Sequence, residues 1–336
     1  TTAPTLSLDT LAPDSDTTPT ISGNTDLPAG ATVTITVTDN AGVSQTFDAT
    51  VQGDGSFSAD VPSAMAEGGY TVTAVAQDPA GNETTATETN GSVDTTAPTI
   101  NLDAQGTGND TTPTITGSTD LSPGSSVTIT VTDSAGAEQT FTAIVDSLGN
   151  FSTDVPNAMA DGNFDVTATA TDAAGNSASD TTSGIINTAV PNLTLDPLGT
   201  GNDTTPTISG TTDIAPGSTV SISVTDSAGN TQTFGAIVQA NGTFSVDVPA
   251  ALSEGNYSVT ASATDGAGNT ATANENGGVI DTTAPGAPTV DASNGTEITG
   301  TAEAGAIVNV DVDGDGTPDF TVIADGDGNW SVTPTT

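Results

Sequence analysis

The chain has 336 residues, with no Lys, Arg, His or Cys and 42 acidic residues, giving a formal net charge of −42. Without His, Cys or Lys it can build no Ser-His-Asp or Cys-His nucleophile, no Schiff base, no disulfide and no ordinary zinc or haem site, so an enzyme is not expected. Without a single cation it cannot neutralise phosphates, and anionic headgroups repel it, which excludes nucleic acid as a partner and argues against direct membrane insertion.

Hydrophobic residues are only 33% of the chain and aromatics 3%, a composition that borders on disorder. Periodicity decides otherwise. Runs such as Val33-Thr-Ile-Thr-Val37 alternate apolar and polar residues, the signature of a half-buried strand. In chain order the first copy of the pattern reads as seven strands, near 5–9, 19–25, 31–39, 44–52, 56–61, 70–78 and 83–93. Turn signals separate them: Pro13-Asp-Ser-Asp16, Pro28-Ala-Gly30, Asn40-Ala-Gly42, Gly53-Asp-Gly55, Glu67-Gly-Gly69 and Pro79-Ala-Gly-Asn82.

The pattern then repeats. Asp94-Thr-Thr-Ala-Pro98 returns as Asn187-Thr-Ala-Val-Pro191 and Asp281-Thr-Thr-Ala-Pro285. Asp16-Thr-Thr-Pro19 returns as Asp110-Thr-Thr-Pro113 and Asp203-Thr-Thr-Pro206, spacings of 94 and 93 residues. A period this long is a whole domain rather than a solenoid unit. Four repeats are expected, over 1–94, 95–187, 188–281 and a partial, divergent one over 282–336. Because Thr1 is already inside a repeat and the last copy stops early, the chain is expected to be a segment of a longer one.

Seven short strands in under 100 residues predict an all-β fold, a Greek-key sandwich per repeat. Phe47, Phe57 and Tyr70, with Ile21, Val33, Ile35, Val37, Val61 and Val72, should fill the space between sheets. Tyr70 and Tyr257 stand where a tyrosine corner would form, although Phe164 fills that slot in the second copy. The junction pentapeptides, the Asp-x-Ala-Gly-Asn hairpins (Asp78–Asn82, Asp172–Asn176, Asp265–Asn269) and the Gly-x-Tyr-x-Val-x-Ala strand resemble bacterial immunoglobulin-like repeats. In particular, they are similar to the extender repeats of very large secreted adhesins of the repeats-in-toxin type. That resemblance spans the whole chain and implies type I secretion, a fibre standing off the bacterial cell surface, and Ca²⁺ between domains.

Strand counting gives the acidic residues an address. With seven antiparallel strands, Asp14, Asp16, Asp39, Glu67 and Asp94 fall at the far pole of the first repeat, facing Asp120, Asp172 and Asn176 at the near pole of the second. At ~4 Å a like-charge pair costs about 1 kcal/mol even in water. A hard cation that takes six to eight oxygens relieves this, and Ca²⁺ fits better than Mg²⁺. The second junction would use Asp110, Asp133, Asp161 and Asn187 with Asp213 and Asp265, and the third Asp203, Asp226, Glu254 and Asp281. Asn187 keeps an oxygen but loses a charge, so weaker binding is expected there. The competing reading makes each Asp a turn former that caps its own loop.

A second candidate is Asp311-Val-Asp313-Gly-Asp315-Gly-Thr-Pro-Asp319, which matches EF-hand spacing at positions 1, 3, 5 and 9 but has Val322 at position 12. Its flanks read as strands, so a hairpin whose tip wraps one Ca²⁺ is expected. Rows such as Thr34-x-Thr-x-Thr38 need no explanation beyond exposed strand residues. The short links contain no Gly/Ser tether, so the sandwiches should line up as a linear, monomeric rod whose partners are its own neighbouring repeats. The function expected is an extracellular spacer of a bacterial surface adhesin, rigidified by Ca²⁺. A Ca²⁺-dependent ligand-binding or homophilic module is the alternative, but the one Trp, Trp330, aligns with core Phe57 and leaves no aromatic anchor outside.

Overall fold

The computed structural model describes residues 2–293 and 296–334, so Thr1, the first residue of the opening Thr-Thr-Ala-Pro, lies outside the described residues. Every regular element among them is a β-strand, and no helix is long and apolar enough to cross a membrane. The chain forms two compact units, one of Thr1–Ala189 with Gly266–Asn269, the other of Val190–Asp265 with Thr270–Thr336.

The first repeat contains β1 (Leu6–Leu8), β2 (Pro13–Asp14), β3 (Thr20–Thr25), β4 (Thr32–Thr38), β5 (Ser44–Thr50), β6 (Ser56–Asp60), β7 (Gly68–Gln77) and β8 (Glu83–Val93). They form a three-stranded sheet, β1-β3-β6, and a five-stranded sheet, β2-β8-β7-β4-β5. The chain crosses between the sheets at every step except the β4–β5 and β7–β8 hairpins, which makes the Greek-key sandwich that the alternation predicts. Val33, Ile35 and Val37 of β4 are fully buried, and the threonines between them face outward. There the Thr36 and Thr46 hydroxyls meet across β4 and β5 at 3.0 Å, and Thr34 donates to Asp48 at 2.9 Å.

Two expectations are corrected. Pro13-Asp-Ser-Asp16 begins not as a turn but as a two-residue strand, with Pro13 and Asp14 running parallel to Ser92 and Val93 at the end of β8. The chain thus leaves the first sheet after β1 and joins the second, a crossover that two residues are too short to announce. Phe47 is only half-buried, because β5 is the edge of its sheet and packs against the core from one side.

The second repeat repeats the plan with β9 (Ile100–Leu102), β10 (Thr107–Gly108), β11 (Thr114–Thr119), β12 (Ser126–Thr132), β13 (Glu138–Ile144), β14 (Asn150–Asp154), β15 (Gly162–Thr171) and β16 (Ser177–Ile186). The third does so with β17 (Leu193–Leu195), β18 (Thr200–Gly201), β19 (Thr207–Thr212), β20 (Thr219–Thr225), β21 (Thr231–Ile237), β22 (Thr243–Asp247), β23 (Gly255–Thr264) and β24 (Thr270–Ile280). Aromatic residues cover glycines in each copy. Phe57, Phe151 and Phe244 lie over Gly23, Gly117 and Gly210, where an added Cβ would come within 2.5–2.6 Å of the ring. Tyr70, Phe164 and Tyr257 cover Gly91, Gly184 and Gly278 in the same way, so what the three rings share at this slot needs no hydroxyl.

The 94- and 93-residue spacings have a local cause. β8 and β24 are 11 residues long and shift register opposite Tyr70 and Tyr257, whereas β16 has 10 residues and pairs with β15 without interruption. The extra residue is a β-bulge, which in β24 contains Gly277 at φ +94°.

The fourth segment has β25 (Ile298–Thr301) paired with β28 (Asn329–Val332), and β26 (Ile307–Val310) paired with β27 (Phe320–Ile323). Its small core holds Val308, Ala324 and Trp330, and Trp330 covers Gly300 as Phe57 covers Gly23.

Candidate metal centres at the repeat junction and hairpin tip

Antiparallel connectivity delivers the far-pole residues of the first repeat to one end of it. Asp39 stands at the β4–β5 turn, where Oδ1 accepts the amides of Ala41 and Val43 and Oδ2 that of Ala66. Asn40 Nδ2 reaches the Glu67 carbonyl at 3.4 Å, and the Glu67 carboxylate accepts the hydroxyls of Thr95 and Thr96. The Asp94 amide donates to the Asp14 carbonyl at 3.0 Å. Asp14, Asp39, Glu67 and Asp94 therefore share one end, as the strand count places them.

The second repeat meets that end within the same compact unit. Asn176 Nδ2 donates to the Asp94 carbonyl at 2.7 Å, and the Ser15 amide donates to the Ala174 carbonyl at 3.1 Å. Both acceptor and donor belong to the Asp172-Ala-Ala-Gly-Asn176 hairpin. Ala174 is buried there, whereas Ala80, its counterpart in the first repeat, is exposed. Asp94, Thr96, Asp120 and Asp172 line a cleft at the junction. Sequence patterning placed Asp172 and Asn176 here, but not Ser15 or Ala174, whose contribution is main-chain and leaves no trace in residue type. Asn269 Nδ2 donates to the Asn187 carbonyl at 2.8 Å, the same bond one repeat later.

The junction carboxylates also accept hydrogen bonds from their own turns or from neighbouring loops. Asp14 Oδ1 accepts the Asp16 amide, Asp16 Oδ1 the Thr18 amide and hydroxyl, Asp94 Oδ1 the Thr96 amide and Asp120 Oδ1 the Thr99 amide. Asp172 accepts the amides of Ala174 and Asn176 and the Asn176 side chain. Hydrogen bonds from Asn176 hold the Asp172 carboxyl below its usual range, and those from Val43 and Ala66 do the same for Asp39. Among the described residues these junction carboxylates do not converge as a close triad. The Oδ2 atoms of Asp14, Asp16, Asp94 and Asp120 accept no hydrogen bond from described residues.

The other predicted residues take equivalent places. Asp110 and Asp203 accept from Thr112 and Thr205, Asp133 from Ala135, Ala137 and Ala160, and Asp161 from Thr188. Asp226 accepts from Asn230 and Ser253, which pull its carboxyl far below the ordinary value. Glu254 accepts the hydroxyls of Thr282 and Thr283, which lower it, and Asp281 accepts the Thr283 amide. Asp213 accepts the Asn192 amide. Asn187 accepts from Ala189, and Asp265 opens the third hairpin.

The described acidic groups that do converge are Asp311, Asp313 and Asp315, each with an oxygen within 4.8 Å of the others. They sit at the tip of the β26–β27 hairpin, where the predicted flanking strands pair with Val310 opposite Phe320. Asp311 accepts the amides of Gly314 and Gly316, which lower its carboxyl, and Asp319 Oδ2 accepts the Val312 amide at 2.7 Å.

A sequence profile of the bacterial Ig-like domain matches residues 9–95, 100–188 and 199–282. Among solved structures, a tetra-tandem repeat from the extending region of a large adhesion protein is 32% identical, covering 98% of this chain and 90% of that one with a TM-score of 0.34. A Ca²⁺-stabilized adhesin that helps an Antarctic bacterium reach out and bind ice is 26% identical, with 98% and 90% coverage and a TM-score of 0.40. The titin I-band fragment I67–I69 is 13% identical, with 82% and 98% coverage and a TM-score of 0.38. No curated protein sequence matches the chain.

Proposed function

The chain belongs to the bacterial Ig-like domain family, and from that premise we propose that it is a non-enzymatic extender of a secreted bacterial surface adhesin, stiffened by Ca²⁺ at its repeat junctions. Its repeats divide at 94/95, 187/188 and 281/282, and each acts as one segment of a rod that carries a distal binding domain away from the cell. The observation that supports this most directly is the first junction. There the Asn176 side chain donates to the Asp94 carbonyl and the Ser15 amide donates to the Ala174 carbonyl, while Asp94, Asp120 and Asp172 line the cleft beside them.

No Lys or Arg is available to balance those charges. Asp14, Asp16, Asp94, Asp120 and Asp172 would hold the ion, with Asp39 and Glu67 behind them, and Asp311, Asp313, Asp315 and Asp319 would hold one at the hairpin tip. Ca²⁺ supplies the double positive charge and the variable coordination number that such a set requires. Extracellular Ca²⁺ would fill the sites after export, and the low cytosolic level would leave the chain unlocked before it. Absence of Lys and Arg also removes every trypsin-type cleavage site, which suits an exposed stalk.

Small-angle X-ray scattering at physiological ionic strength, with millimolar Ca²⁺ and then excess chelator, tests the reading. An extended, stiff profile that relaxes to a flexible string of domains on chelation is the expected result. Superimposable curves would reduce the junction carboxylates to turn formers and leave rigidity to the protein contacts alone.

A further inference from the structure

Each complete repeat covers a strand glycine with one ring, Tyr70, Phe164 or Tyr257. That packing needs no hydroxyl, yet Tyr257 carries one. The side chain is only 5% exposed, and among the described residues its hydroxyl has no hydrogen-bond partner. A buried phenol ordinarily finds one. This one lines a cavity of about 210 Å³ that lies wholly within the third repeat.

The cavity is bounded by the crossover segment Asp196–Asp203, which contains β18, and by β19 and the end of β24. Leu198, Pro206, Val279 and Ile280 give it apolar walls, and Asp196 and Asp203 bring carboxylates. One oxygen of each carboxylate is engaged: Asp196 Oδ2 accepts the Ser209 hydroxyl, and Asp203 Oδ1 accepts the Thr205 amide and hydroxyl. Asp196 Oδ1 and Asp203 Oδ2 accept no hydrogen bond from described residues. The Gly199 and Gly201 carbonyls are taken by the amides of Val279 and Asp281. The same place in the second repeat, which is followed by a complete repeat, holds a cavity of about 130 Å³ lined by Phe164 and a single carboxylate, Asp110. The fold thus supplies the space, and the residues of the third repeat supply its chemistry.

We propose that this cavity binds a primary alkylammonium group, its N–H donors directed at Asp196 Oδ1, Asp203 Oδ2 and the Tyr257 hydroxyl oxygen and its carbon chain lying along Leu198 and Ile280. Three donors on one nitrogen match three separate acceptors. A guanidinium fits less well, because its planar fork asks for both oxygens of one carboxylate, and neither Asp196 nor Asp203 has two to give. Ca²⁺ also fits less well, because it takes six to eight oxygens and these walls are largely apolar. Burial and the Asp203 charge hold the phenol above its ordinary value, so it stays a neutral hydroxyl able to accept from the ammonium. The chain has no Lys to fill the site itself, so the amine comes from outside. Only Asp203 is shared with the acidic set of the third junction, and the site therefore persists without Ca²⁺.

The test uses the whole chain in excess chelator, with isotope-labelled tyrosine and Tyr70→Phe, the residue that the second repeat carries at this slot, so that Tyr257 gives the only tyrosine NMR signal. n-Butylammonium should shift that signal saturably. Tetramethylammonium at the same ionic strength, which has no N–H donor, should not. Nα-acetyl-lysine methylamide carries the same group on a peptide unit: tighter binding than butylammonium identifies a partner's lysine as the source, and weaker binding a free amine. Asp196→Asn should weaken butylammonium binding at least about tenfold. Asp103→Asn, which alters the equivalent hydroxyl-to-carboxylate bond one repeat earlier, should leave it unchanged. An absent or unsaturable shift, equal responses to the two ammonium ions, or undiminished affinity in Asp196→Asn overturns the proposal.

Discussion

The same five residues, Asp-Thr-Thr-Ala-Pro, follow the first repeat at Asp94–Pro98 and the third at Asp281–Pro285, and they finish in different surroundings. Their opening geometry is shared. Asp94 donates its amide to Asp14 and Asp281 to Gly201, each aspartate caps the residue two positions on, and Glu67 or Glu254 gathers the two threonine hydroxyls. Beyond that the regions diverge. Pro98 is buried and the Asp94 carbonyl is taken by Asn176, whereas 281–290 is exposed throughout. At the first junction the element that closes on the pentapeptide is the Asp172–Asn176 hairpin of the following repeat. Closure of the first junction therefore takes contacts from both repeats, and the pentapeptide supplies only the proximal half of them.

The largest expected effect separates complete sandwiches from the open one. Phe151→Ala should cost the second repeat about 3–5 kcal/mol, because the ring is 2% exposed over Gly117 and the surrounding sheets cannot collapse onto the gap. Trp330→Ala should cost the fourth segment distinctly less, since its core is already open on one side. Urea unfolding followed by circular dichroism measures both, and equal costs would erase the distinction.

Acid should come next. Asp39, Asp133 and Asp226 tie the turn after the fourth, twelfth and twentieth strands to the loop before the seventh, fifteenth and twenty-third, and amide hydrogen bonds depress each carboxyl. A depressed folded value means that stability is fully present above the unfolded value near 3.8 and is lost as pH falls through the lower, folded one. Melting temperature should hold down to about pH 4 and then fall, and Asp133→Asn should flatten that fall for the second repeat. An unchanged pH profile in the variant would remove Asp133 from the account.

How far all this was legible depends on what kind of interaction sets each feature. Alternation in Val33–Val37 and its copies marks strands because burial on one face is local to the strand. The poles were legible too, since antiparallel connectivity alone assigns Asp39, Glu67 and Asp94 to one end. The Pro13–Asp14 strand was not, because its pairing with Ser92 and Val93 is set by residues 79 positions away. Nor was the orientation of the carboxylates: Asp94 and Asp120 share a cleft, yet each turns one oxygen to a neighbouring amide. Residue type cannot specify that choice.

Proteolysis addresses the comparison of the two linkers directly. An endoproteinase specific for aspartate should cut at Asp281 at least about tenfold faster than at Asp94, because cleavage follows local opening and the Asp94 carbonyl is held by Asn176 whereas 281–290 is exposed. Similar rates would mean that the Asn176 and Ala174 contacts add no protection. Asn176→Ala should then cost about 1 kcal/mol through the lost bond to the Asp94 carbonyl, and should speed exchange of the Ser15 amide. Asn82→Ala, in the first-repeat hairpin, should leave Ser15 unaffected.

The smallest expected effect is the most discriminating. Asn187 stands where the other two junctions have aspartate, yet its carbonyl accepts from Asn269 as that of Asp94 does from Asn176, and its Oδ1 accepts the Ala189 amide as Asp94 Oδ1 accepts that of Thr96. Asn187→Asp preserves both acceptors, so in chelator the stability should change by less than about 0.5 kcal/mol. In Ca²⁺ the new charge should tighten binding a few-fold if the side chain at this position is a ligand, and titration calorimetry would register the gain. Unchanged affinity would assign the side chains at 94, 187 and 281 to turn formation alone, leaving the bond from an asparagine side chain to the carbonyl at 94 or 187 as what those two positions have in common.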